Sequence, residues 1–205
     1  MPSRNTVRLD TANTYYHVYS RGINKQAIFS EPQDKDYFLY LLSRHLSVAQ
    51  VVSKKNGYTY AHLRGEIELL AYCIMDNHFH LLVYQDKINA LAKLMKSVMV
   101  AYTAYYNTTY GHIGPIFNGR YKSSRIYDDQ YLLHISRYIH LNPRSWKRYP
   151  HSSLKHILKT TEPEWLQSEK LLSLHPNRKA YLTFVADYED YKHTLDAIKR
   201  DMKNL

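Results

Sequence analysis

The chain has 205 residues, and its 28 lysines and arginines against 18 aspartates and glutamates give a formal net charge of +10. This length, with 44% apolar residues, suits one buried core and an appendage, and the charge favours nucleic acid as a partner, although it also fits a soluble basic protein without one. A single cysteine excludes an intrachain disulfide and a zinc site of several thiolates. No stretch approaches the roughly 18 apolar residues of a membrane helix, and the N-terminus has no apolar targeting segment. We therefore expect a cytoplasmic protein without a membrane partner.

Patterns of apolar and β-forming residues predict six elements before residue 128. The strands follow from β-branched and aromatic runs bounded by turn residues, and the helices follow from apolar residues at helical spacing. The tight Asp76-Asn77 connection indicates a hairpin. In chain order the predicted elements are a strand at residues 14–21, a helix at 33–52, strands at 66–75 and 78–85, a helix at 88–106 and a basic strand within 119–127.

The order β-α-β-β-α-β predicts an α+β fold, with a ferredoxin-like (split β-α-β) antiparallel sheet on which helices pack. Residues 1–148 would form this domain. Residues 149–205 would form a helical C-terminal extension, with polar helical stretches at 164–174 and 179–203. The extension carries no motif that indicates a function.

His78 and His80 flank one bulky apolar residue, Phe79, at the start of the second hairpin strand. Residues two apart on a strand share a face, so both imidazoles point the same way while Phe79 points into the opposite layer. This arrangement is able to chelate a metal ion. In a chain with 12 histidines one such pair also arises by chance, so the interpretation needs a second motif.

The second motif is an amphipathic helix that Asp128 or Asp129 can cap at its start. Pro143 disfavours helical geometry at Asn142, so we expect the helix to close there. Tyr138 and Asn142 are four residues apart, which places a phenol and a carboxamide on one face, about one turn from each other. Together with two imidazoles, these groups are the parts of a metal-assisted site that cleaves phosphodiesters.

Four strings of the sequence, in this order, resemble the single-tyrosine HUH transposases, and most closely their REP-associated tyrosine transposase branch. The resemblance covers roughly residues 14–153. It implies the same ferredoxin-like fold and a transposase that cleaves and rejoins single-stranded, hairpin-containing DNA. The strings are YYHVYSRGINKQAIF, DNHFHLLV, FNGRYKSSRI and YLLHISRYIHLNP.

Carried over to this sequence, the resemblance implies that His78, His80 and Asn142 bind the metal ion and that Tyr138 is the nucleophile. A mixed nitrogen and oxygen ligand set suits Mg²⁺ or Mn²⁺. The expected product is a 5′-phosphotyrosine with a free 3′-hydroxyl. A second 3′-hydroxyl can then displace the tyrosine and rejoin the strands without a nucleotide cofactor.

Two roles near Tyr138 remain open in the sequence. The general base is His134, one turn before Tyr138, or His140, or no residue at all. Tyr131 lies two turns before Tyr138 on the same helix face and is the leading alternative nucleophile.

Basic residues close to the motifs are candidates for phosphate contact. Three of them precede the tyrosine helix on the basic strand, where a solvated edge strand blunted by charge is the alternative explanation. A fourth, Arg21, ends the first strand, and a position on a half-exposed strand face explains this arginine equally well. The expected DNA-binding residues are Arg21, Arg120, Lys122, Arg125 and Arg144.

Two other classes of function compete with a transposase. A ferredoxin-like sheet with exposed aromatic residues also binds single strands without cutting them. A metal-dependent hydrolase of small phosphoesters would need no basic surface, and the net charge argues against it. A covalent protein–DNA adduct would separate the transposase from both. The sequence allows a homodimer and does not exclude a monomer.

Overall fold

The computed structural model of the chain describes residues 10–53, 57–159 and 161–187. This part contains four strands, six α-helices and a short 3-10 turn at Ile23–Lys25. In chain order the strands and α-helices are β1 (Thr14–Arg21), α1 (Pro32–Leu46), β2 (Ile67–Ile74), β3 (His78–Gln85), α2 (Ala90–Tyr110), β4 (Lys122–Ile126), α3 (Asp129–Leu141), α4 (Leu154–Lys159), α5 (Glu169–Leu172) and α6 (Arg178–Ala186). None of the helices described here is long and apolar enough to span a bilayer.

The four strands form one antiparallel sheet in the order β2-β3-β1-β4. β2 and β3 are joined by a tight turn in which the Met75 N–H donates to the carbonyl of His78 at 2.8 Å. β3 returns between β1 and β2, as in a split β-α-β unit. The predicted α+β, ferredoxin-like architecture is therefore confirmed.

One face of the sheet packs against α1 and α2. Alternate strand residues, among them Val18, Phe79 and Leu81, point into this layer and are inaccessible to solvent. The ring centroids of Phe79 and Phe38 of α1 lie 4.9 Å apart. This layer is an apolar core of large, fully buried side chains.

The opposite face packs against α3 and the C-terminal extension. Leu82 of β3 and Ile139 of α3 share a cluster with Leu154, Leu171 and Tyr181 of the extension. The described part of the extension thus shares a hydrophobic core with the sheet. The division of the chain after residue 148 stays a prediction, and the two sides of that division are in direct contact.

The extension also covers the outer edge of β2. The Ile74 N–H donates to the His151 carbonyl at 3.0 Å, and the Ser153 N–H donates to the Tyr72 carbonyl at 3.0 Å. An open strand edge offers unpaired backbone groups to other chains. These bonds satisfy the edge of β2 within the same chain.

Helix α1 is shorter than the sequence predicted, since it ends at Leu46 rather than at residue 52. Ser47 has an extended backbone, with ψ of 157°, and its N–H donates to the Ser43 carbonyl. Val48 and Val52 are 57% and 50% exposed. Because these valines find no apolar surface to pack on, their helical spacing does not prolong the helix, and the prediction was wrong over residues 47–52.

Helix α2 runs one turn beyond the predicted end at residue 106 and stops at Tyr110. Gly111 follows in the left-handed region, with φ of 62°, which is the usual way to end a helix. The hydroxyls of Tyr105 and Tyr110 donate to the two carboxylate oxygens of Asp34 at 2.9 and 2.7 Å. The bond from Tyr110 ties the extra turn to α1.

The helices of the extension differ from the predicted ranges. α5 covers only Glu169–Leu172 of the predicted stretch at 164–174. α6 begins at Arg178, where the Asn177 side chain accepts from the Ala180 N–H. Its predicted continuation over residues 188–203 lies outside the described residues.

Candidate active site

Strand β3 places His78 and His80 on the face that α3 covers. Phe79 between them points into the opposite layer and is fully buried. The ring centroids of His78 and His80 lie 5.0 Å apart. The shared face that the His-x-His spacing predicted is therefore present.

Helix α3 brings Tyr138 and Asn142 to the two histidines. The ring centroids of Tyr138 and His80 lie 5.1 Å apart, with the ring planes at 80°. The Asn142 Oδ1 lies 3.1 Å from the His78 Nε2. The structure thus brings all four predicted residues together within a single chain.

The two ends of α3 explain how it presents these side chains. Asp128 is the N-cap, and its carboxylate accepts from the Tyr131 N–H at 2.7 Å. At the other end Asn142 closes the helix as expected, but its backbone stays helical, with φ of −57° and ψ of −44°. The expectation of a non-helical Asn142 was wrong, because its N–H still donates to the Ile139 carbonyl in a tightened last turn. Asn142 consequently remains on the same helix face as Tyr138.

The Nδ1 atom of each histidine lies within hydrogen-bond distance of a neighbouring side chain. The Nδ1 of His78 lies 2.6 Å from the Oδ1 of Asn77. The Nδ1 of His80 lies 2.9 Å from the Nε2 of His17 on β1. In both histidines the Nε2 is therefore the nitrogen turned away from these partners.

Burial sets the protonation of the site. Burial lowers the pKa of His78 to about 4, and the hydrogen bond that a protonated ring donates to Asn142 has a smaller opposite effect on this pKa. Burial also keeps the pKa of His80 well below its usual value. Burial also raises the pKa of Tyr138 well above that of a free phenol, while the positive charge of Arg21 and a hydrogen bond with Asn142 act in the opposite direction. At neutral pH both imidazoles are uncharged, the form that binds metal ions, and the phenol keeps its proton.

The donor set fits a small, hard divalent ion. A neutral imidazole carries one N–H, yet His78 faces an amide oxygen at each ring nitrogen. Since Nδ1 donates to Asn77, the His78 Nε2 and the Asn142 Oδ1 present lone pairs to each other, which a cation between them would relieve. Their separation of 3.1 Å is close to the edge of an octahedron with bonds of about 2.1 Å, which is about 3.0 Å. The described residues contain no group of three His, Cys, Asp or Glu side chains suited to a metal, so the amide would have to be the third ligand.

Residues 10–142 match the family model described as IS200-like transposases. The chain belongs to the IS200-like transposase family. The transposase also has the fold of a solved structure described as a REP-associated tyrosine transposase bound to a REP hairpin, with a TM-score of 0.51 and 13% sequence identity over 80% of this chain and 91% of that chain. No curated protein matches the chain. The family that the sequence motifs resemble is thereby confirmed.

The residues that the sequence left open around Tyr138 take separate positions in the transposase. Tyr131 lies two turns from Tyr138 and is only half-buried, next to the N-cap of α3 rather than beside the histidines. Both ring nitrogens of His140 are engaged, by the Ser153 hydroxyl at 2.8 Å and the Tyr181 hydroxyl at 2.7 Å. His140 therefore joins α3 to the extension. His134 stays open as a general base.

Of the predicted DNA-binding residues, Arg21 and Lys122 lie closest to the site. Arg21 pairs with His78 across the β1-β3 ladder, and its charge acts on Tyr138. Lys122 pairs with Tyr19 across the β1-β4 ladder, on the same face as the histidines. Contact of these two cations with phosphate stays a prediction that their positions permit.

The other three basic residues lie elsewhere. Arg125 pairs with Tyr16 and so points to the opposite face from Lys122, and its guanidinium lies 4.9 Å from the centroid of the Tyr127 ring. Arg120 is exposed in a groove beside α2, and Arg144 is exposed just after α3. The basic strand is therefore not one continuous surface, although its alternation already implied that residues 122 and 125 diverge.

Sequence reasoning missed Asn77 and the role of His17. Asn77 adjoins the first histidine in the DNHFH string, but an asparagine in a tight turn is explained by turn geometry alone. His17 reaches His80 only because β1 and β3 pair in one register, with Tyr19 opposite His80. That register could not be read from either strand separately.

Proposed function

We propose that this transposase cleaves and rejoins single-stranded, hairpin-containing DNA through a covalent bond between Tyr138 and a DNA 5′-phosphate. The observation that carries the proposal is the approach of the Tyr138 phenol to two neutral imidazoles and an amide oxygen, in one chain and at 5.1 Å between the Tyr138 and His80 rings. The hairpin as substrate is supported by the fold neighbour, whose structure is described as bound to a REP hairpin.

The reaction would be an in-line displacement at phosphorus. The phenolic oxygen of Tyr138 gives up its proton as it forms the new O–P bond, the P–O3′ bond breaks, and the 3′-oxygen leaves and takes up a proton, so the net proton transfer is from the phenol to the 3′-hydroxyl. The product is a 5′-phosphotyrosine with a free 3′-hydroxyl. Since the covalent bond conserves the energy of the phosphodiester, a second 3′-hydroxyl can reverse the step on another strand without ATP.

A Mg²⁺ or Mn²⁺ ion would be held by His78, His80 and Asn142, and when bound it would neutralise charge on the phosphate oxygens. The chain itself acts on the phenol in two ways. Asn142 forms a hydrogen bond with Tyr138 and so orients it, and the positive charge of Arg21 favours the phenolate. These two groups oppose the effect of burial, which keeps the free phenol protonated. Arg21 and Lys122 would contact DNA phosphates close to the cleaved bond.

The test is incubation of the full chain with single-stranded hairpin DNA from around its own gene, labelled at its 3′ end so that the label stays on the covalently bound fragment, with Mn²⁺ or with EDTA. We expect a labelled band that survives denaturation in SDS, depends on the metal ion and is absent for Tyr138→Phe. A shift on a native gel without any adduct under denaturing conditions would instead identify a binding module that does not cut, and would end the proposal.

A further inference from the structure

Both proposed histidine ligands have their second ring nitrogen in contact with a side chain that has no assigned role. These side chains are Asn77 for His78 and His17 for His80. A metal ion takes the lone pair of a neutral imidazole, so the nitrogen that carries the proton decides which nitrogen is available. The partner of the second nitrogen therefore matters for metal binding.

The orientation of Asn77 is fixed by a third group. Its Nδ2 donates to the carbonyl of Lys25 at 2.9 Å, so its Oδ1 has to be the atom that faces His78. An amide oxygen only accepts, and at 2.6 Å it requires a proton on the Nδ1 of His78. A neutral His78 then has its lone pair on Nε2, which faces Asn142.

His17 acts on His80 in a similar way. Its Nε2 lies 2.9 Å from the Nδ1 of His80, and the two residues are only 2% and 3% exposed. One proton occupies this contact, and water does not compete for it. When His17 accepts, the proton is on the Nδ1 of His80, and its Nε2 is free for a ligand bond.

We propose that Asn77 and His17 are positioning residues that fix the tautomers of His78 and His80 so that both Nε2 lone pairs are directed at the metal ion. The inference rests on the metal-dependent function proposed above. It gives the asparagine of the DNHFH string a role beyond the turn. The turn has its own backbone bonds, from the Gly22 N–H to the Asn77 carbonyl at 2.9 Å and from the Met75 N–H to the His78 carbonyl at 2.8 Å, which a side-chain substitution leaves in place.

The chain contains a matched control for Asn77. The Oδ1 of Asn107 lies 3.0 Å from the Nδ1 of His112, and its Nδ2 donates to the Gly114 carbonyl at 3.0 Å. This is the same combination of histidine and backbone carbonyl, at the end of α2 and on the other side of the sheet. Asn107→Ala should therefore change the tautomer of His112 without any effect at the site.

The first measurement needs no metal ion. In ¹⁵N NMR of the imidazole rings, we expect His78 of the metal-free wild type to be protonated on Nδ1. In Asn77→Ala the proton should shift toward Nε2, and Asn77→Asp should keep it on Nδ1 because a carboxylate oxygen still accepts. A wild-type His78 protonated on Nε2 would overturn the inference.

The second measurement is Mn²⁺ affinity by titration calorimetry without DNA. Loss of such an outer hydrogen bond typically lowers metal affinity by about 10–100-fold, and we expect this for Asn77→Ala and His17→Phe. Asn77→Asp and His17→Gln, which keep an acceptor, should recover much of the loss, and Asn107→Ala should bind like wild type. Wild-type affinity in both Asn77→Ala and His17→Phe would overturn the inference. Loss of Mn²⁺ binding in His78→Ala would still support the proposed site, so the two claims fail separately.

Discussion

The two faces of the sheet differ in what they bury. On the face toward α1 and α2, most of the buried strand residues are apolar, and Phe79 packs between Phe38 and Phe117. On the face toward α3, the neighbours of Phe79 in the same strand are His78 and His80, which meet polar groups on other elements. The same strand thus supplies one residue to the apolar core and the two proposed metal ligands beside it.

Two buried tyrosines illustrate the consequence of this difference. Tyr102 lies in the apolar layer, and its hydroxyl donates to the carbonyl of Ile28. Tyr138 lies on the face toward α3, beside His80, and its hydroxyl interacts with Asn142. Burial raises the pKa of both phenols above the usual value. The difference is that Tyr138, unlike Tyr102, lies beside the proposed metal ligands, so burial alone does not identify a nucleophile.

The largest expected effect is a loss of DNA cleavage when the histidines on the α3 face of the sheet are replaced. His78→Ala combined with His80→Ala should abolish DNA cleavage and leave hairpin binding largely intact, because a metal ion acts on the cleaved phosphate more than on the rest of the DNA. Cleavage assays and native-gel binding with the same labelled hairpin measure both. Asn142→Ala should be milder, since water can fill one coordination position. Full cleavage by the double variant would remove the site from the histidines.

The next effect is a difference in stability between substitutions on the two faces. Phe79→Ala removes a fully buried ring and should lower the free energy of unfolding by about 3–5 kcal/mol. His78→Ala, at a half-buried position in the same strand, should cost clearly less. Urea denaturation of both variants gives the comparison. An equal loss of unfolding free energy in the two variants would contradict the claim that Phe79 contributes more to stability than His78.

A smaller effect concerns the bonds that hold α3 to the extension. The Ser153 hydroxyl bonds with His140 at 2.8 Å and accepts from the Tyr72 N–H at 2.9 Å, in the buried interior. Ser153→Ala leaves these partners unsatisfied and should cost about 1–3 kcal/mol of unfolding free energy. Ser43→Ala, which removes a hydroxyl that bonds to the Tyr40 carbonyl at the surface, is the control in the same denaturation experiment and should change little.

The smallest effect concerns the charge around the site. If Lys122 contacts one phosphate, Lys122→Ala should make the plot of log affinity for single-stranded DNA against log salt less steep by about 0.7. Lys87, which lies 3.4 Å from the Glu66 carboxylate just beyond the opposite end of β3, is the control, and Lys87→Ala should leave the slope unchanged. A wild-type slope in Lys122→Ala would remove this residue from the DNA-binding surface.

The sequence was sufficient for those parts of the site that depend on one element. Strand alternation places His78 and His80 on one face, and helical spacing does the same for Tyr138 and Asn142. The order of the elements was likewise enough for the ferredoxin-like sheet, because few topologies accommodate it.

The parts that sequence reasoning did not reach depend on contacts between elements. The approach of His17 to His80 needs the register of β1 against β3, and the engagement of His140 needs Ser153 and Tyr181 from the extension. The early end of α1 similarly reflects missing packing partners for Val48 rather than its intrinsic preference.

The most direct test of the central claim is to map the residue that carries DNA in the covalent complex. Trypsin cleaves after Arg125, Arg137 and Arg144, so residues 126–137 and 138–144 form separate peptides, with Tyr131 in the first and Tyr138 in the second. Mass spectrometry should find the nucleotide adduct on the peptide 138–144, and Tyr131→Phe should retain it. Tyr131 lies about 16 Å along the helix from Asn142 at 1.5 Å per residue, too far to share a metal ion held there. An adduct on the peptide 126–137, with none on 138–144, would contradict the assignment of Tyr138 and the placement of the site.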